Sequence, residues 1–107
     1  MVAMKESVIQ KGILDLLAWK AKTEQFYWFR AGAGAMKTST GRFFKTGRPG
    51  LPDIVILYHG RFIGAEVKNE KGRMSASQKQ AKEEIINAGG EYHIVRSVAD
   101  VKLIFGW

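Results

Sequence analysis

Two apolar, partly β-branched runs, residues 53–58 (DIVILY) and 61–68 (RFIGAEVK), are joined by nothing more than His59-Gly60. So short a connection makes them a β-hairpin and sets its register. With the turn placed symmetrically, Leu57 faces Phe62, Val55 faces Gly64, and Asp53 faces Glu66. Strand side chains alternate, so Lys68 returns to the face that carries both acids. Directly opposed residues hold their Cβ atoms roughly 4.5–5.5 Å apart, where two like charges destabilise a sheet. A salt bridge to Lys68 compensates one carboxylate and leaves the other without a partner. A hard divalent cation answers both: Mg²⁺ takes one or two carboxylates, keeps several waters and completes its shell with phosphate oxygens. Such an ion polarises a phosphodiester, and Lys68 beside it stabilises the nucleophile and the charge developing on phosphorus. Gly50-Leu51-Pro52 leads into Asp53; glycine permits a sharp turn, and proline at a strand's first position loses no ladder hydrogen bond.

The rest of the chain supplies the scaffold. Val8, Ile9, Gly12, Ile13, Leu16 and Leu17 recur at helical spacing, which predicts an amphipathic helix over residues 4–22 with Glu6 in its first turn. The aromatic run 26–30 predicts a strand, and 31–51, rich in Gly, Ser, Thr and basic residues, a long loop or hairpin of the kind that carries function. Ser75 and Gln78 form a capping box for a helix that ends at Gly89-Gly90. Residues 91–96 read as a strand, and Ser97 with Asp100 as a second capping box opening a short helix to 104. The order is helix, three strands, helix, strand, helix, αβββαβ(α): an α/β fold with a mixed sheet, in one domain of 107 residues.

Composition narrows the chemistry. With no cysteine there is no disulfide framework and no thiolate zinc site, so a metal here is held by carboxylates, carbonyls, waters or the two histidines. Neither His59 nor His93 has a partner at ligand spacing. The net charge of +7 points to a polyanionic partner. From Gln25 to Pro52 no acidic residue occurs, while Arg30, Lys37, Arg42, Lys45 and Arg48 fall in that window. These five are candidate DNA-backbone contacts, with a solvated basic loop as the alternative. Residues 31–38 (AGAGAMKT) place Ala31 and Met36 at both glycine positions of the Walker pattern, so no nucleotide cofactor is expected. No basic and apolar leader opens the chain, and the longest apolar stretches, around 13–19, are interrupted by charge. The expectation is a soluble, intracellular (cytoplasmic) protein with no membrane partner.

Gly50-Leu51-Pro52-Asp53, the short hairpin, Glu66-Val67-Lys68 and Gln78 at the start of the next helix resemble the PD-(D/E)XK nuclease superfamily, specifically its VRR-NUC branch. The likeness runs from Glu6 to about Val95. It implies a restriction-endonuclease-like core and a metal-dependent DNA endonuclease that uses Mg²⁺ or Mn²⁺. Asp53, Glu66 and the Val67 backbone carbonyl match the family's metal ligands, Glu6 its first-helix acid, which reaches the site directly or through water, Lys68 its catalytic lysine, and Gln78 a supporting polar residue. Stand-alone members are similar to archaeal Holliday junction resolvases, which implies a homodimer acting on branched DNA and is compatible with a phage-encoded enzyme in a host cytoplasm.

Simpler readings stand beside these. Asp53 is also an ordinary strand-entry turn residue, Glu6 also complements a helix dipole, and Gln78 is fully explained as a cap. Phe26, Tyr27, Trp28, Phe29, Phe43 and Phe44 are more aromatic surface than one small core needs, which leaves a dimer interface open beside core packing. The motif residues do not separate a structure-selective nuclease from a less selective nicking enzyme. A catalytically inert DNA-binding module is disfavoured by the retention of Asp53, Glu66 and Lys68 on one face.

Overall fold

The computed structural model describes residues 3–31, 34–37, 39–41 and 43–107, with residues 34–37 and 43–46 described by backbone alone. Helix α1 spans Glu6–Lys20, strand β1 Tyr27–Arg30, β2 Gly34–Lys37, β3 Phe43–Thr46, β4 Ile54–Tyr58, β5 Arg61–Val67, helix α2 Ala76–Asn87, β6 Glu91–Val95 and helix α3 Val98–Phe105. Four strands form a mixed sheet in the order β1-β4-β5-β6, with the first two pairings antiparallel and β5 parallel to β6. The expected order of elements holds. The segment 31–51 contains a hairpin, β2 with β3, in which Ala35 lies opposite Lys45 and Lys37 opposite Phe43.

The β4–β5 hairpin has the register its two-residue turn dictates: Leu57 pairs with Phe62 and Val55 with Gly64. His59 and Gly60 both take positive φ (49° and 83°), as a type I′ turn requires. The α2 capping box is complete, Ser75 Oγ accepting from the Gln78 amide and Gln78 Oε1 from the Ser75 amide. At α3 the box is half made. Ser97 Oγ accepts from the Asp100 amide, but the Asp100 carboxylate takes the Arg96 N–H (2.8 Å), one residue before the cap. Aspartate is one methylene shorter than the glutamate or glutamine that closes such a box.

Alternation divides the sheet into two unlike faces. Ile54, Ile56, Ile63, Ala65, Val67 and Val95 point to one side and meet Ile9, Ile13 and Leu17 of α1 and Val101 of α3 in a closed apolar core. Phe26 and Trp28 join this side, packing with Tyr58, Phe105 and Trp107 in an aromatic cluster. They are core residues and leave the dimer-interface reading to Tyr27 and Phe29; the side chains of Phe43 and Phe44 lie outside the described residues. Among the described residues, no helix is long and apolar enough to cross a membrane.

Candidate active site

The second sheet face carries the motif residues. Asp53 sits immediately before β4, its carbonyl accepting the Ala31 N–H (2.7 Å). Asp53 Oδ2 accepts the Val67 N–H at 2.8 Å, so this carboxylate is pinned across the hairpin, beside Glu66. Two close approaches hold that arrangement. A Cβ on Gly50, whose φ is +80°, would stand 2.1 Å from the Ser77 carbonyl oxygen, so the turn before Asp53 runs against the first turn of α2. Pro52 is fully buried, with its Cγ 2.8 Å from where a Gly64 Cβ would be. The glycine and proline of the motif are thus packing requirements that place an aspartate.

Glu66 is 4% exposed, the one charged residue among the buried described residues. Its Oε1 accepts from Gln78 Nε2 at 2.8 Å, and Lys68 Nζ stands 3.9 Å from the same oxygen. Its Oε2 is buried without a hydrogen-bond partner among the described residues. Burial first, and then the Asp53 charge, push the Glu66 carboxyl up to about 8, with Lys68 opposing. An orphaned carboxylate oxygen beside a second carboxylate is costly for a protein alone and fits a hard divalent cation.

Gln78 caps its helix and also reaches Glu66 with the same side chain. Its Oε1 serves the helix cap, which leaves its NH₂ to donate to Glu66. The cap therefore fixes which end of the amide meets the acid. Glu6 stands apart from the pair. Its Oε1 accepts the Asn69 N–H at 3.4 Å, and it crowds Gly72 together with the Lys68 stem. Among the described residues no three acids or histidines lie together as a ligating group.

A solved structure described as a VRR_NUC domain superposes with a TM-score of 0.66 over 97% of each chain, at 20% identity. This chain has the VRR_NUC fold. No family model matches its sequence, and no curated protein does.

Within that VRR_NUC fold, the structure brings together Asp53, Glu66, Lys68 and Gln78, puts Glu6 at the adjoining corner, and makes Val67 the last residue of β5. It also adds Tyr92, which the sequence presents as one more apolar-strand residue. Tyr92 is buried in β6 beside Gly64, and its hydroxyl donates to the Gly50 carbonyl at 3.4 Å. Burial, and then the Glu66 and Asp53 charges, raise its pKa, which keeps it a neutral phenol against the acids. The available signal was general: a buried tyrosine hydroxyl needs a polar partner.

The basic residues divide. Arg30 is exposed at the end of β1 and lines a shallow cleft with Ser7, Gln10, Lys11 and Leu14 of α1. Arg48 is exposed and paired with Glu84 of α2 at 3.1 Å. Arg42 and the side chains of Lys37 and Lys45 lie outside the described residues. His93 bonds Glu91 and His59 occupies the turn, both away from the acids.

Proposed function

We propose that this chain is a divalent-metal-dependent endodeoxyribonuclease acting on branched DNA as a homodimer. The observation that carries the reading is Glu66: a buried carboxylate with one oxygen unpartnered, facing Asp53 and flanked by Lys68. The VRR_NUC fold supports a nuclease, and the net charge of +7 supports a polyanionic substrate.

Asp53, Glu66 and the Val67 carbonyl would hold Mg²⁺ or Mn²⁺, with Glu6 placed to act through water. When bound, the ion supplies Lewis acidity beside the scissile phosphate. The residues supply the rest. The Val67 amide and Gln78 hold the two acids in place, so little reorganisation remains when substrate arrives. Lys68, its side chain 13% exposed, offers ammonium donors to the attacking water and to the phosphate oxygens as negative charge grows. Water adds to phosphorus, the bond to the leaving sugar oxygen breaks, and the products are a phosphomonoester and a free hydroxyl. Two symmetric cuts at one junction need two such sites, which is why the branched-DNA reading includes a second copy.

The test sets four-way junctions, flaps, single strands, linear duplex and supercoiled plasmid side by side with Mg²⁺, Mn²⁺ or EDTA. Asp53→Asn and Lys68→Ala serve as blanks. Paired symmetric incisions on junctions, from a chain that sediments as a dimer, are expected. Equal nicking of every substrate removes the branched preference and leaves a nuclease; no cleavage in either metal removes the nuclease.

A further inference from the structure

The face that carries Asp53 and Glu66 does not end at the acids. By the strand pairings, Tyr27 lies opposite Leu57, Leu57 opposite Phe62, and Phe29 opposite Val55, so these side chains share the acids' face. On the β5 and β6 side, α2 and the Arg48–Leu51 turn come over it. On the β1 and β4 side Tyr27 is 66% exposed, Leu57 49% and Phe29 46%, and Phe62 of β5, 39% exposed, borders them at the edge of the cleft under α2. The Tyr27 and Phe29 ring centroids are 6.1 Å apart with planes at 55°, so neither ring covers the other's face. An apolar row of this kind on a strongly basic chain calls for an occupant.

We propose that Tyr27 and Phe29, with Leu57 and Phe62 behind them, form a platform on which unpaired nucleobases of the substrate stack, giving the enzyme a preference for DNA with single-stranded character. The proposal rests on the nuclease reading and supplies the substrate feature that reading leaves open. Three observations favour bases over a second copy of the chain. The row is small: a whole aromatic side chain presents roughly 150–250 Å², so four partly exposed residues offer on the order of 400 Å². That is about half of the ~800 Å² each partner brings to a standard interface. The chain has the right sign for a polyanion, with a net charge of +7 and no acidic residue in the sequence from Gln25 to Pro52. Its position is continuous with the acids. Phe29 lies opposite Val55, two residues along β4 from Asp53. That is about 7 Å, or roughly two phosphate spacings of a stacked strand. Base–aromatic stacking tolerates any sequence because every base has a π face, so the platform reads strandedness and not order.

The experiment measures binding in EDTA, where no cleavage occurs, by fluorescence anisotropy of labelled oligo(dT) and of a blunt duplex at one fixed salt concentration. For Tyr27→Thr/Phe29→Thr the expected result is a loss of single-strand affinity of about tenfold or more, with duplex affinity changed less than about twofold and the melting temperature retained. Tyr27→Phe keeps the ring and should keep the affinity. Equal losses on both ligands, no loss on either, or loss of single-strand binding in Tyr27→Phe overturns the platform. So does a wild-type dimer that Tyr27→Thr/Phe29→Thr converts to monomer, because the row is then a contact between copies. These readings need no metal and no turnover, so a failed platform and a failed nuclease give different results: the first leaves plasmid cleavage intact, and the second leaves the binding difference intact.

Discussion

The same strands build two faces that obey opposite rules. Toward α1 and α3, Ile54, Ile56, Ile63, Ala65 and Val67 are almost completely buried in one apolar cluster. Toward α2, alternate residues of the same strands present Asp53, Glu66 and an exposed aromatic row. The first face is where burial stabilises the domain, at about 25 cal/mol per Å² of apolar surface. The second carries an unsatisfied buried oxygen, a pair of like charges and uncovered rings, and in isolation each of these is unfavourable. Local features that oppose folding gather where function needs them.

The sharpest way to break this contrast is to remove the charge. Asp53→Asn or Glu66→Gln should lower cleavage by about a thousandfold or more, while the metal-free melting temperature stays level or rises. The rise is expected for Glu66→Gln because a buried carboxyl group with one oxygen unsatisfied is exchanged for a neutral amide. A clear fall in melting temperature would mean that the acids stabilise the fold, and the two faces would then not be separate in role. On the other face, Ile13→Ala and Ile56→Ala should each cost roughly 2–5 kcal/mol in urea titrations. Their effect on turnover should be nil at temperatures where the variant is folded.

Gln78 sits where the two roles meet and separates them on a smaller scale. Gln78→Ala should lose roughly ten- to a hundredfold in activity together with about 1 kcal/mol of helix capping. Gln78→Glu keeps a residue that completes the capping box but sets a negative charge against Glu66. It should retain the melting temperature and lose the activity; equal losses in both variants would make the cap its whole role.

A further contrast lies in the pH dependence. Glu66 titrates at about 8 in the folded chain against an ordinary 4.5, so the folded state binds this proton more tightly than the unfolded one. Its contribution to stability is whole below about 4.5 and is lost as pH rises through about 8. Metal-free protein should therefore soften across that window, Glu66→Gln should lack the slope, and added Mg²⁺ should reverse its sign, because a ligating carboxylate must be deprotonated. Urea midpoints collected from pH 5 to 9, with and without the ion, give the comparison.

Much of the site was legible because strand alternation and a two-residue turn are short-range rules. They brought Asp53, Glu66 and Lys68 to one face from sequence alone, and the hairpin pairs as they require. The residues that the sequence hid are joined through distant packing. The Gln78 contact with Glu66 exists because Gly50 lets α2 come down on the turn, and Tyr92 faces the acids because β6 lies parallel beside β5. The aromatic run 26–30 was visible, but not that Phe26 and Trp28 would go inward and Tyr27 and Phe29 outward.

What the sequence by itself determined is whatever backbone geometry enforces over a few residues: the turn, the register, the helix caps and the face shared by two acids and a lysine. What the tertiary structure alone decided is how far each of those groups is removed from water and which groups approach it from elsewhere in the chain. Desolvation and long-range contact are properties of the packed whole, and they turn two ordinary carboxylates into a site with one oxygen left to satisfy.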